Sequence, residues 1–187
     1  MSAMITPARA LAIVLVALAL AGCGGGAKSE SDLSDDALNR GLKAHNAGNL
    51  DEARAAYFEA LFHNAKNKFA YFNLGQIAQS QKKLAIAEGY YRSALEIDAN
   101  FGNALFNLAV LRADLGFKQD AIDLYRRDIQ ADPSNPSAYF NLGFLLRDTG
   151  NFAEASQMFQ RAQQLNPALV PPASPSPTPR PSPSPTR

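Results

Sequence analysis

The fold class predicted by this sequence is an all-α solenoid of four helix-turn-helix repeats, and three observations predict it. Gly41, Gly75, Ala109 and Gly143 stand 34 residues apart each time, with no insertion between them. Other columns keep the same register: Ala53, Ala87, Ala121, Ala155; then Tyr57, Tyr91, Tyr125, Phe159; then Ala60, Ala94, Asp128, Ala162. Between about Leu33 and Leu169 the apolar residues recur at helical spacing, whereas both ends of the chain differ in composition. Self-similarity at such a period marks stacked supersecondary units, each too small to bury its apolar face alone.

Residues 1–22 read as a secretory leader. Arg9 and the amino terminus supply positive charge, Leu11–Ala21 the apolar run, and Ala21 and Gly22 the small residues of a cleavage site. The run falls well short of the ~20 apolar residues that a spanning helix needs. The residues that follow resemble a known motif: Leu20-Ala21-Gly22-Cys23 is similar to the lipobox of bacterial lipoproteins. That resemblance implies cleavage between Gly22 and Cys23, diacylglycerylation of the Cys23 thiol and acylation of the new amine. Cys23 is the single cysteine, so no intramolecular disulfide forms, and Gly22, Gly24, Gly25 and Gly26 build no core around it. Two or more acyl chains anchor stably, at roughly 0.8 kcal/mol per buried CH₂. By the same resemblance, Gly24 in place of Asp favours the outer membrane. Residues 23–33 are then the lipidated cysteine and a flexible linker, with the nine residues Gly24–Asp32 reaching at most ~30 Å.

The repeats occupy residues 34–67, 68–101, 102–135 and 136–169. Ser34, followed by Asp35 and Asp36, has the chemistry of a helix opening. Gly48, Gly116 and Gly150 fall where each first helix must stop, with Lys82 the exception in the second repeat. Asn49 with Glu52, and Asn151 with Glu154, have capping-box spacing for the second helices. Asn135-Pro136 suits an N-cap and first helical residue. Small residues in the Gly41 and Ala53 columns admit close approach of the two helices, and the Tyr57-column aromatic fills the space between repeats. Asp128 replaces Ala at a packed position, bonding to nearby backbone or marking a local distortion.

Tyr71-Phe72-Asn73-Leu74-Gly75 and Tyr139-Phe140-Asn141-Leu142-Gly143, with the 34-residue period, resemble the tetratricopeptide repeat family. The resemblance implies a right-handed superhelix whose first helices line a concave groove. Arg40 and Ala37, where the family has Leu and an aromatic, suit an atypical terminal repeat. On the groove-facing positions that the family implies, Asn73, Asn107 and Asn141 form one ladder, and Phe72, Phe106 and Phe140 another. A row of amides pairs with the main chain of an extended peptide whatever its side chains, and neighbouring phenylalanines bury its apolar ones. A similar asparagine ladder lines the solenoid of O-linked N-acetylglucosamine transferase. The family's carboxylate clamp needs cations, and its positions here (Leu38, Leu42, Asn73, Asn103, Asn107, or Phe72, Gln76, Asn107, Ser137, Asn141) hold none.

Nine of the 12 prolines fall between Pro167 and Pro185, so residues 170–187 are expected to form a disordered Pro/Ser/Thr-rich tail. No solvating helix follows the fourth repeat, which leaves Leu146 and Met158 as candidates for a bare apolar face. A homodimer, a partner, or the fold-back of Leu169-Val170 would each cover it.

Charge and motif content exclude several functions. The 18 basic and 17 acidic residues are interspersed, so nucleic acid finds no basic stripe. His45 and His63, without a second cysteine, make no metal site, and no phosphate-binding glycine loop occurs, so neither a cofactor nor an enzyme is expected. The expected function is a membrane-anchored scaffold of the bacterial cell envelope, outer-membrane or periplasm-facing, that binds a peptide segment of a protein partner in its groove. The alternative is a structural spacer acting through its Pro-rich tail. Assembly of pili or outer-membrane proteins is a narrower form of the scaffold reading.

Overall fold

The computed structural model describes residues 28–171. The expected leader, Cys23 and residues 172–187 of the expected tail lie outside the described residues. Eight helices follow one another: α1 Glu30–Asn46, α2 Leu50–His63, α3 Lys68–Ser80, α4 Leu84–Ile97, α5 Gly102–Asp114, α6 Lys118–Ala131, α7 Pro136–Asp148 and α8 Phe152–Leu165. Among the described residues there is no strand. All the substantial packing is between consecutive helices, as a solenoid requires.

The helix stops are local chemistry. Gly48, Gly116 and Gly150 take φ of +80°, +83° and +85°, the left-handed backbone that closes a helix and that only glycine adopts freely. Lys82 is forced into the same turn with φ of 60°. Because the site already has a glycine's backbone, Lys82→Gly should raise stability by roughly 0.5–1 kcal/mol, readable as a higher denaturant midpoint.

The starts are less uniform. Asn135 accepts from the backbone N–H groups of Ser137 and Ala138, with Pro136 first in α7, as expected. Asn151 accepts from the Glu154 N–H and donates to its carboxylate. In α2, by contrast, Asn49 only donates to Glu52 and caps no backbone group. The first helix opens earlier than Ser34. Ser29 is its N-cap, and Ser29 with Asp32 forms a complete capping box, so residues 30–33 are helix and not linker. The Asp32 carboxyl is held below its ordinary pKa, chiefly by the Ser29 hydroxyl. Ser34 is instead fully buried, its hydroxyl donating to the Ala60 carbonyl at 2.9 Å.

Packing within each repeat centres on a glycine. A Cβ on Gly41 would lie 2.4 Å from the Tyr57 ring, on Gly75 2.5 Å from Tyr91, and on Gly143 2.8 Å from Phe159. Each of these aromatics therefore packs on the first helix of its own repeat, and the tyrosines also share a buried cluster with the next repeat, as expected of side chains that fill the space between repeats: Tyr57 with Leu74 and Ile77, Tyr91 with Leu108 and Leu111, Tyr125 with Leu142 and Leu145. Burial of Tyr57, Tyr91 and Tyr125 pushes each phenol up to about 12, so all three hydroxyls stay protonated as donors.

The far end also departs from expectation. Leu146 is buried beside Ile122, Tyr125 and Phe159, and Met158 is half-buried against the same cluster. Along α8 the exposed residues are Phe152 at its first position, then Ala153, Ser156, Gln157, Gln160, Arg161 and Gln164. The last repeat solvates its own outer face, so the reason for a homodimer there falls away.

Candidate functional site

The first helices of repeats two to four, α3, α5 and α7, form one wall. A cleft of about 390 Å³ opens on it, lined by Phe72 and Gln76 of α3, Asn103, Phe106 and Asn107 of α5, and Asn135 and Ser137 at the start of α7. A second cleft of about 240 Å³ is lined by Val110, Ala113, Asp114, Tyr125, Asn141, Phe144 and Leu145. The larger cleft has no ionised side chain in its lining. It offers amides, one hydroxyl and two ring edges, a surface suited to main-chain groups and apolar side chains.

The two ladders are placed unequally. Phe72, Phe106 and Phe140 are all half-buried. Their rings lie against Tyr91 at 6.0 Å, Tyr125 at 5.7 Å and Phe159 at 5.7 Å between centroids, each within its own repeat. Each therefore gives part of its surface to the wall and part to the core. Phe140 lies outside both clefts, edge-on to Phe144 at 4.9 Å.

The asparagines are partly committed too. Asn141 donates to the Tyr125 hydroxyl at 3.1 Å, across the boundary between the third and fourth repeats. The Asn107 amide acts on the Tyr91 phenol in the same sense, offsetting part of the effect of burial. Tyr91 in turn donates to Gln79 at 2.7 Å. Asn73 is buried and donates to the Phe69 carbonyl one turn earlier in its own helix. Asn141 thus joins two repeats through a tyrosine hydroxyl, and Asn107 and Asn141 are the members of the row that line the clefts. Gln76, Asn103 and Ser137 were legible only as clamp positions lacking cations; as uncharged hydrogen-bonding groups they complete the wall.

Among the described residues no group of acids, histidines or cysteines is arranged to hold a metal ion. No helix of the described residues is long and apolar enough to cross a membrane.

Two family models described as tetratricopeptide repeat match residues 38–100 and 136–169, together just over half of the chain. The chain belongs to the tetratricopeptide repeat family. Among solved tetratricopeptide folds it is similar to MamA, at 19% identity and a TM-score of 0.65 over 72% of this chain and 78% of MamA. It is also similar to a tetratricopeptide repeat protein from Parabacteroides merdae, at 25% identity and a TM-score of 0.65 over 74% of this chain and 56% of that one. A third likeness is to pilF of Pseudomonas aeruginosa, at 22% identity and a TM-score of 0.67, over 75% of this chain and 64% of that one. The tetratricopeptide solenoid is what MamA and pilF share with it at these identities. No curated protein matches the chain significantly.

Proposed function

We propose that this chain is a lipid-anchored adaptor of a bacterial cell envelope that holds an extended peptide segment of a protein partner against α3, α5 and α7. A protein-binding scaffold is the ordinary use of its fold; the larger cleft carries the finer reading. Its uncharged lining, Gln76, Asn103, Asn107, Asn135 and Ser137 with the edges of Phe72 and Phe106, suits an extended main chain and apolar side chains more than a charged terminus. The anchor reading rests on Leu20–Cys23, whose thiol is the only one in the chain. An outer-membrane or periplasm-facing position follows from that reading. Acylated Cys23 would contact the bilayer, and no catalytic role is assigned to any side chain.

The test uses Asn103 and Ser137, both exposed at the cleft and outside the core. Two carboxylates there would face a peptide main chain with groups that accept hydrogen bonds but donate none. Asn103→Glu/Ser137→Glu should fold with an unchanged Tm and bind the partner captured by wild type from native envelope roughly tenfold or more weakly. Equal capture by both proteins would remove the groove from the function and leave the spacer reading, acting through the Pro-rich segment.

A further inference from the structure

A second surface lies on the first repeat, on the opposite helix layer from the groove. Phe58 and Phe62 sit one turn apart on α2, 47% and 84% exposed, and Ala55 continues the stripe. The repeats supply their own control. At the two corresponding positions the second repeat has Arg92 and Glu96, the third Arg126 and Gln130, the fourth Gln160 and Gln164, all exposed. The fold therefore asks for solvated polar side chains at these sites, and packing does not explain two phenylalanines there. They occur only in the repeat that follows Cys23.

The position of the patch is set by an adjacent contact. His63, next to Phe62, meets Glu30 at 2.7 Å between its Nδ1 and the carboxylate, which places the end of α2 beside the start of α1. The chain leading from Cys23 joins the helix there. Five residues lie between Cys23 and Ser29, which makes six steps and at most ~20 Å of chain. α1 has 17 residues and is therefore ~25 Å long. A lipid attached at Cys23 reaches the edge carrying Phe62 and falls short of the opposite edge, where the exposed Leu115, Phe117 and Phe152 lie by the turns into α6 and α8.

We infer that Phe58 and Phe62 insert into the bilayer that holds Cys23, fixing the solenoid with its first repeat against the membrane. This rests on the anchor reading under Proposed function. The contact is apolar and not electrostatic: the neighbouring α1 carries Glu30, Asp32, Asp35 and Asp36, with Lys28 already paired to Asp36. Insertion of two rings, added to acyl chains, converts a loose tether into an oriented attachment. Orientation in turn leaves the wall of α3, α5 and α7 open to a partner.

The chain contains no tryptophan, so a single one introduced reports its own surroundings. Full-length Phe62→Trp and, as a control at the far edge, Phe152→Trp would be produced in a bacterial host and reconstituted in phosphatidylcholine/phosphatidylethanolamine vesicles, with Cys23 modification read by mass. The expected result is a blue-shifted emission, quenched by bromine-labelled acyl chains and unaffected by salt, for Phe62→Trp alone. Modified Cys23 with both emissions unshifted and unquenched would overturn the insertion and leave the anchor standing. Unmodified Cys23 would overturn the anchor and the insertion with it. Equal quenching at both sites would show an unoriented association and overturn the proposed face.

Discussion

Gly102→Ala is expected to destabilise the chain by about 1–2 kcal/mol, and to become harmless once Asp128→Ala is also present. The reason is an exchange of roles between the first and third repeats. In the first, the buried Ser34 hydroxyl donates to the Ala60 carbonyl and accepts from Asn67 Nδ2 at 3.0 Å, while Asn67 caps α3. Two repeats on, the same three positions hold Gly102, Asp128 and Asn135. There Asn135 Nδ2 donates at 2.9 Å to the Asp128 carboxylate, while Asn135 caps α7. The acceptor is supplied from the second helix in place of the first, and Gly102 makes room for it. A Cβ on Gly102 would lie 3.0 Å from Asp128 Oδ1. With Asp128→Ala as background, Gly102→Ser should rebuild the first repeat's arrangement and gain roughly 1–2 kcal/mol by giving Asn135 an acceptor. If Gly102→Ser gains no more than Gly102→Ala on that background, the hydroxyl does not replace the carboxylate and the exchange is refuted. Chemical denaturation of the variants reads all of these differences.

The same carboxyl makes stability depend on pH. Burial raises Asp128 from 3.8 to about 6; the bond from Asn135 opposes this and the charge of Asp132 adds to it. Its Oδ1 has no partner among the described residues. The folded chain therefore holds this proton to a higher pH than the unfolded chain does. As pH rises from about 4 to about 6, the unfolded state gives up the proton first, and stability falls. The cost is complete above that window, on the order of 3 kcal/mol. Gly102→Ser/Asp128→Ala should lose this slope, so its advantage over wild type should be greatest near pH 7 and shrink toward pH 4. A constant difference across the range would show that the carboxyl titrates normally.

Gly75→Val should cost roughly 3 kcal/mol or more, since its Cβ alone would lie 2.5 Å from the buried Tyr91 ring and a branched side chain leaves the ring no retreat. Gly75→Ala should cost clearly less. The third repeat already pairs Ala109 with a buried Tyr125, so a shifted ring accommodates one methyl group. Denaturant midpoints of the two variants separate these outcomes; equal losses would mean that the ring cannot move at all in the second repeat.

Much of the fold was legible because its causes are local or periodic. The 34-residue period determined eight helices in four pairs, since a column of glycine or alanine recurs only where two helices must touch. Gly48, Gly116 and Gly150 announced their turns because a backbone at positive φ selects glycine without reference to anything distant. Asn135-Pro136 announced α7 for a similar reason. The start of α1 was missed because Ser34-Asp35-Asp36 imitates a helix opening, whereas Ser29 and Asp32 cap each other reciprocally one turn earlier. The candidate groove was legible as a set of positions and not as a set of surfaces. How much of Phe106 faces the cleft depends on Tyr125, and what Asn141 has left to offer depends on that tyrosine's hydroxyl.

Repeat number, helix stops and apolar register are thus each written in residues within one turn or one period of each other. Packing alone selects which polar atoms meet between the helices: Ser34 with Asn67, Asp128 with Asn135, Tyr125 with Asn141. The physical reason is that a buried donor must find an acceptor somewhere in its surroundings, and neighbouring positions on either helix can supply one. Composition shows that the need exists; only packing shows which side chain meets it.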